Sequence, residues 1–198
     1  TLYIGHRSWS TLVNIPIKKR KHQMSTGKTV PQITFKYRVR DASIGGDNPF
    51  RWQDVTSDEI FSNKKVVVFS LPGAFTPTCS TQQVPGFEAA YEEFIKLGID
   101  EVYVLSVNDT FVMRKWMLDQ KIGNIKFIPD GNGEFTRQMG MLVDKHNVGF
   151  GQRSWRYAMV VNNGVIEHWL EEPGRKDNNG PDPFSISSAE SVLSAIKG

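Results

Sequence analysis

A chain of 198 residues with 39% hydrophobic side chains and a net charge of +3 is long enough for one ordinary domain with a full core. No apolar run approaches the roughly 18 residues of a membrane span, and one cysteine excludes a disulfide framework. Four histidines (His6, His22, His146, His168) lack the spacing of a zinc site, and there is no Walker loop, dinucleotide glycine fingerprint or G-x-S-x-G, so no metal, cofactor or membrane partner is expected.

In chain order, residues 1–30 stand apart as a basic leader. They hold Arg7, Lys18, Lys19, Arg20, Lys21 and Lys28 and no acid, so this segment is +6 and the remaining residues sum to −3. An acid-free stretch rich in Ser, Thr and basic residues matches an organelle transit segment, which points to a mitochondrial or plastid-like address, with the cytoplasm as the alternative. The KKRK run at Lys18–Lys21 has no interleaved aromatics and makes a weak nucleic-acid footprint, so no nucleic-acid partner is expected.

The domain is assigned to residues 31–198. Gln32–Arg40 alternates as a strand, GGDN at Gly45–Asn48 reads as a turn, and Phe50–Val55 returns as a hairpin partner. Ser57 ahead of Asp58 and Glu59 starts a short helix. The apolar run Val66–Leu71 predicts a buried strand, followed by a helix from Cys79 to Leu97 and a strand over Val102–Val107. A helix from Asp109 to Asp119 and a strand over Lys126–Pro129 come next, then a helical turn or two at Glu134–Met141. Strands at Tyr157–Val161 and Val165–Leu170 flank the turn NNG, and Ser187–Ile196 closes as a helix. This alternation predicts an α/β class of thioredoxin-like fold, a central mixed sheet flanked by helices with an N-terminal β-hairpin.

The one cysteine falls at the strand-to-helix junction, at the end of PGAFTPTC. A lone cysteine is often an inert buried side chain. Here a helix starting at or just before Cys79 points unpaired N–H groups at the sulfur, which favours the thiolate. In P-x-x-x-T-x-x-C, Thr76 lies about one turn upstream, where its hydroxyl can face the sulfur and a bound oxygen. Pro72 and Pro77 restrict the loop and remove two backbone donors, which helps keep water from the thiolate.

The segment PGAFTPTCSTQQVPGF (Pro72–Phe87) resembles the peroxidatic segment of the peroxiredoxins, specifically the type II or peroxiredoxin-5-like group. VYVLSVNDTFVMRKW, IKFIPDGNGEFTRQMG and RSWRYAMVVNNGVIEHWLEEPG resemble that family in the same order, so the likeness covers roughly residues 31–198. It implies a thiol-dependent peroxidase in which Cys79 attacks a peroxide oxygen and becomes a sulfenic acid. Arg156, before the strand YAMVV, matches the family's active-site arginine, with Arg153 the weaker candidate, and Pro72 and Thr76 complete the implied catalytic set. Many members carry a second, resolving cysteine in the strand occupied here by Val102–Val107 or near Pro183–Ser187, and this chain has none in either place. A one-cysteine form implies an external thiol reductant, glutathione with glutaredoxin favoured and thioredoxin competing.

A second departure is Gln83, where members commonly carry histidine. The resemblance also implies a homodimer through the aromatics and prolines around Phe75 and Pro77. To meet an outside thiol the first turn of the Cys79 helix is expected to unwind. The rival reading is a redox-sensing interaction protein or chaperone switched by Cys79 oxidation.

Overall fold

The computed structural model describes residues 25–198, so most of the basic leader lies outside the described residues. Strands β1 (Thr34–Arg40) and β2 (Phe50–Thr56) pair antiparallel as the expected N-terminal hairpin. A capping box closes on the next element: the Thr56 hydroxyl accepts from Glu59 N while the Glu59 carboxylate accepts from Thr56 N, starting helix α1 (Ser57–Phe61).

The central sheet takes the order β5-β4-β3-β8-β9. Strands β3 (Lys65–Ser70), β4 (Glu101–Ser106) and β5 (Lys126–Pro129) run parallel. Strand β8 (Tyr157–Asn162) is antiparallel to β3 and to β9 (Val165–Glu171), so the sheet is mixed. The tight β8–β9 connection uses Asn163 and Gly164, both in the left-handed region (φ 47° and 80°), as a two-residue hairpin turn requires.

Strand alternation sorts the core onto two faces. Val66, Val68, Leu105, Met159 and Val161 point to one, which Phe35, Ile60, Phe61 and Phe135 cover from the hairpin, α1 and helix α5 (Glu134–Gln138). Val67, Phe69, Val104, Ala158 and Val160 point to the other. That face is covered by helices α2 (Val84–Ala89), α3 (Tyr91–Lys96), α4 (Thr110–Asp119) and α6 (Ala189–Lys197), which contribute Phe87, Phe94, Trp116 and Val192. Phe69 and Phe87 stack with ring centroids 3.9 Å apart, and burial of each such side chain is worth about 1.5–3 kcal/mol.

Two features depart from the expected elements. The helix predicted as continuous from Cys79 to Leu97 is a π-helical turn at Cys79–Gln83, then α2, then a break at Ala90 before α3. A small antiparallel ladder of β6 (Leu142–Asp144) and β7 (Gln152–Ser154) was not anticipated, because three residues are too few to show alternation. The ladder matters because its second strand leads directly into Arg156.

The topology gathers four loops at one end of the sheet. Ser70 at the end of β3 pairs with Tyr157 at the start of β8, which in turn pairs with Glu171 at the end of β9. The segments after β3 and β4, before β8 and after β9 therefore meet, and Cys79, Asn108, Arg156 and Glu172 lie on those four segments.

Candidate active site

Beyond β3 the chain enters a buried stretch, Leu71–Gly73, and then turns sharply outward. Phe75 sits at φ 62°, an uncommon conformation for a bulky residue, with its ring half exposed and tilted against Trp116. A Cβ on Gly73 would stand 2.7 Å from Arg153 Nη1, so a larger residue there would displace the end of that side chain. Helical backbone begins at Pro77, and Ser80 N donates to Thr76 O at 3.0 Å. Cys79 is thus in the first helical turn, where N–H groups have no intrahelical acceptor.

The π geometry has a local cause. Pro85 has no N–H to donate and its ring crowds the carbonyl four residues back, so the ladder widens and Val84 N donates to Cys79 O instead. The Cys79 side chain is completely buried.

Arg156 is the organising group. Its side chain is 1% exposed, and its Nη1 donates to Cys79 Sγ at 3.5 Å and also to Gln83 Oε1. Nη2 donates to both Asp182 oxygens, at 2.7 and 2.8 Å. One planar fork therefore joins the thiol, the π-turn and the C-terminal segment. Burial pulls the guanidinium pKa down, but the Cys79 thiolate charge and Asp182 outweigh that, and the net direction is up. Its Nε is buried with no hydrogen-bond partner among the described residues, leaving one donor of the group uncommitted there.

Arg153 has a different task. Its Nη1 donates to Pro72 O at 3.4 Å and to Asn108 Oδ1 at 3.3 Å, and its Nε donates to Phe150 O at 3.1 Å. Burial lowers its pKa, and the charge on Cys79 opposes that shift. Asn108 ties the same loop from β4: its Oδ1 also accepts from Ala74 N at 3.0 Å and from the Ser106 hydroxyl at 2.7 Å. Thr76 donates its hydroxyl proton to Gly73 O at 2.7 Å, so toward a bound oxygen it is an acceptor rather than the donor-or-acceptor its spacing alone allows. Trp116 Nε1 donates to Ser80 Oγ at 3.0 Å and holds the π-turn to α4.

Residues 172–187 form an arm that closes the site. Glu172, buried opposite Arg156, accepts at Oε1 from Ser185 N (2.9 Å), Ile186 N (2.8 Å), Ser187 N (2.8 Å) and the Ser187 hydroxyl (2.8 Å). Burial pushes this carboxyl up, but those donors together hold it below the usual carboxylate range. The arm so fixed carries Asp182 to Arg156 and presents Ser187 O to Gln83 Nε2 at 3.3 Å.

The residues named from sequence, Pro72, Thr76, Cys79 and Arg156, thus meet at one end of the sheet, with Arg153 supporting the loop rather than touching the sulfur by a hydrogen bond. Gln83, which stands where the resemblance leads one to expect histidine, is 1% exposed and bonded to the arginine. Asp182, Glu172 and Asn108 were not singled out. Their only sequence signal is an acid or amide just past a strand or within a Pro/Gly-rich loop, and many solvated residues share it.

Comparison with known proteins identifies the family. Residues 26–193 match the Redoxin family model. A peroxiredoxin of Rhizobium etli is 59% identical over 174 residues, covering 88% of this chain and 97% of that protein. The crystal structure of the Plasmodium falciparum antioxidant protein, a 1-Cys peroxiredoxin, superposes with a TM-score of 0.80 at 37% identity, covering 88% of this chain and 99% of that one. Reduced Prx3 of Vibrio vulnificus in complex with hydrogen peroxide gives a TM-score of 0.74 at 33% identity, over 88% of this chain and 97% of that one. With its single cysteine held in the first turn of a helix under a buried arginine, on this fold and at these identities, the chain belongs to the peroxiredoxins, the thiol-dependent peroxidases.

Proposed function

We propose that Cys79 is the peroxidatic nucleophile and that the chain reduces hydrogen peroxide and organic hydroperoxides with an external thiol. The carrying observation is the Arg156 Nη1 contact to Cys79 Sγ at 3.5 Å in a site from which solvent is excluded. The thiolate attacks one peroxide oxygen, the O–O bond breaks, and the departing hydroxide or alkoxide takes up a proton. Arg156 is suited to stabilise both the sulfur anion and the charge developing on the leaving oxygen, because its donors are fixed by Asp182 and Gln83 before the reaction. Thr76 accepts from the peroxide hydroxyl, and Pro72 shapes the loop behind it.

The product is a Cys79 sulfenic acid. With no second cysteine in the chain, a thiol from outside attacks that sulfur, releasing water and forming a mixed disulfide, and a second thiol then frees Cys79. Glutathione with glutaredoxin is the favoured reductant, ahead of thioredoxin. Because Cys79 is fully buried, this step requires the π-turn to open, and the one-cysteine Plasmodium relative supports the external route. The half-exposed Phe75, held outward, supports a homodimer contact at this end of the sheet.

Steady-state hydroperoxide reduction by the wild type and by Cys79→Ser tests the reading, with glutathione plus glutaredoxin in one arm and thioredoxin plus its reductase in the other. Multiple turnovers in the first arm, abolished in the serine variant, are expected. Turnover retained by Cys79→Ser would overturn the nucleophile, and turnover with thioredoxin alone would overturn the reductant. Rapid single oxidation of Cys79 with no recycling in either arm would favour a redox sensor.

A further inference from the structure

A cavity of about 690 Å³ lies away from the thiol, between the N-terminal hairpin and the β4–β5 edge of the sheet, and no residue of the Cys79 loop lines it. That volume is within the range of small-molecule sites, about 300–1,000 Å³. Val55, Ile60, Tyr103, Met117, Ile122 and Phe127 supply apolar wall. Arg38, Arg40 and Arg114 also line it, and none of the three has a carboxylate partner among the described residues. Two of them rest on aromatic rings instead, Arg38 over Trp52 at 5.5 Å and Arg114 over Phe50 at 4.1 Å. Glu59, the acid in the lining, has its carboxylate engaged by Thr56 in the capping box, and Lys126 is neutralised by Glu101 at 2.6 Å.

An apolar chamber bordered by uncompensated arginines is complementary to a molecule with a long apolar body and one anionic head. We propose that this cavity binds a single amphipathic anion of the long-chain carboxylate class, with its tail against Met117 and Phe127 and its carboxylate at Arg40 and Arg114. Charge argues against the other occupants. The leader carries +6 and would be repelled by the same arginines, and an isologous contact with a second copy would set those arginines against each other. The site is independent of the chemistry assigned to Cys79.

The test is titration of the full chain with laurate carrying a ¹³C-labelled carboxyl group, below its micelle concentration, followed by NMR. One saturable site is expected, weakened at least about tenfold by Arg40→Glu/Arg114→Glu and lost in Val55→Trp, which fills the chamber, while uncharged dodecanol binds at least about tenfold more weakly than laurate. Retained hydroperoxide turnover in both variants shows that they are folded. The proposal is overturned by absence of saturable binding, by an affinity that neither variant changes, by equal affinity for dodecanol, or by association with lipid vesicles and not with monomeric laurate.

Discussion

Arg156 meets the thiol turn on one edge and the C-terminal arm on the other, and the two edges are built in opposite ways. On the thiol side, Pro72, Thr76, Pro77, Cys79 and Gln83 lie within one short run of chain, and their relative placement follows from a strand end, a constrained loop and a helix start. On the arm side, Asp182 reaches the arginine only because Glu172 gathers the N–H groups of Ser185, Ile186 and Ser187, and Glu172 is there because the β8–β9 register sets it beside Arg156. On the proposed mechanism the first edge supplies the reacting atom and the second fixes the electrostatics around it. A guanidinium held from both edges is preorganised for the role proposed for it, and the contribution of each edge is separable by mutation.

The largest effect falls on the shared group. Arg156→Lys keeps a positive charge but cannot serve Cys79, Gln83 and Asp182 at once, so stopped-flow oxidation of Cys79 by hydrogen peroxide is expected to slow by about 10²–10³-fold, the range for removing one preorganised donor. A loss below fivefold would mean that the fork geometry is dispensable and that charge alone is used.

On the arm side, Glu172→Gln removes the charge from an acceptor of five hydrogen bonds: the amide oxygen can keep the four at Oε1, but without charge assistance, and the amide nitrogen takes the place of Oε2, where it turns an acceptor of the Ser185 hydroxyl into a donor. A cost of about 2–3 kcal/mol is expected, or roughly 5–10 °C in Tm for a domain of this size. The pH dependence has a definite sign. The folded-state pKa of Glu172 is depressed, so its stabilisation is present above the unfolded carboxylate pKa of about 4.3 and is lost as pH falls through the folded value. Wild-type stability should therefore drop below about pH 4–5 more steeply than that of Glu172→Gln. Parallel acid limbs in thermal melts of the two proteins would show that the arm is not held by this carboxylate.

Asp182→Asn is milder. Its side chain is 41% exposed, so solvent screens the pair, and about a tenfold slower peroxide step (~1.4 kcal/mol) is expected rather than the larger cost of a fully buried pair. Stability should barely change, in contrast to Glu172→Gln, and a reversal of that order would dissolve the division of roles between the two carboxylates.

The same contrast governs what could be read from sequence. The sheet strands were legible because Val66–Leu71 and Tyr157–Val161 are continuous apolar runs, and the thiol loop because its chemistry is compressed into eight residues. Arg156 was identified only through family resemblance, since a charge before a strand ordinarily points to water. Asp182 was illegible because its partner lies 26 residues away and nothing local fixes the arm until Glu172 collects it. The hairpin expectation located β1 and β2 but not the cavity beneath them, which arises from how the hairpin sits on the sheet edge. The helix break is legible in principle: Pro85, inside a stretch whose periodicity predicts helix, breaks the hydrogen-bond ladder.

That proline carries the last and smallest prediction. In the resting enzyme Val84 N bonds Cys79 O across the widened turn, and Pro85 contributes no donor. Pro85→Ala restores an N–H that can pair with the Thr81 carbonyl, tightening the segment toward α-geometry by about 0.5–1 kcal/mol, the net worth of one hydrogen bond. On the proposed route, resolution by an outside thiol needs this turn to open and peroxide attack does not, so the variant should slow reduction of the sulfenic acid by about threefold while changing Cys79 oxidation by less than about twofold. Pre-steady-state measurement of both half-reactions separates the two. A slower oxidation with unchanged resolution would assign the π-turn to shaping the resting thiolate rather than to releasing it, and the thiol edge of Arg156 would then be as static as the arm.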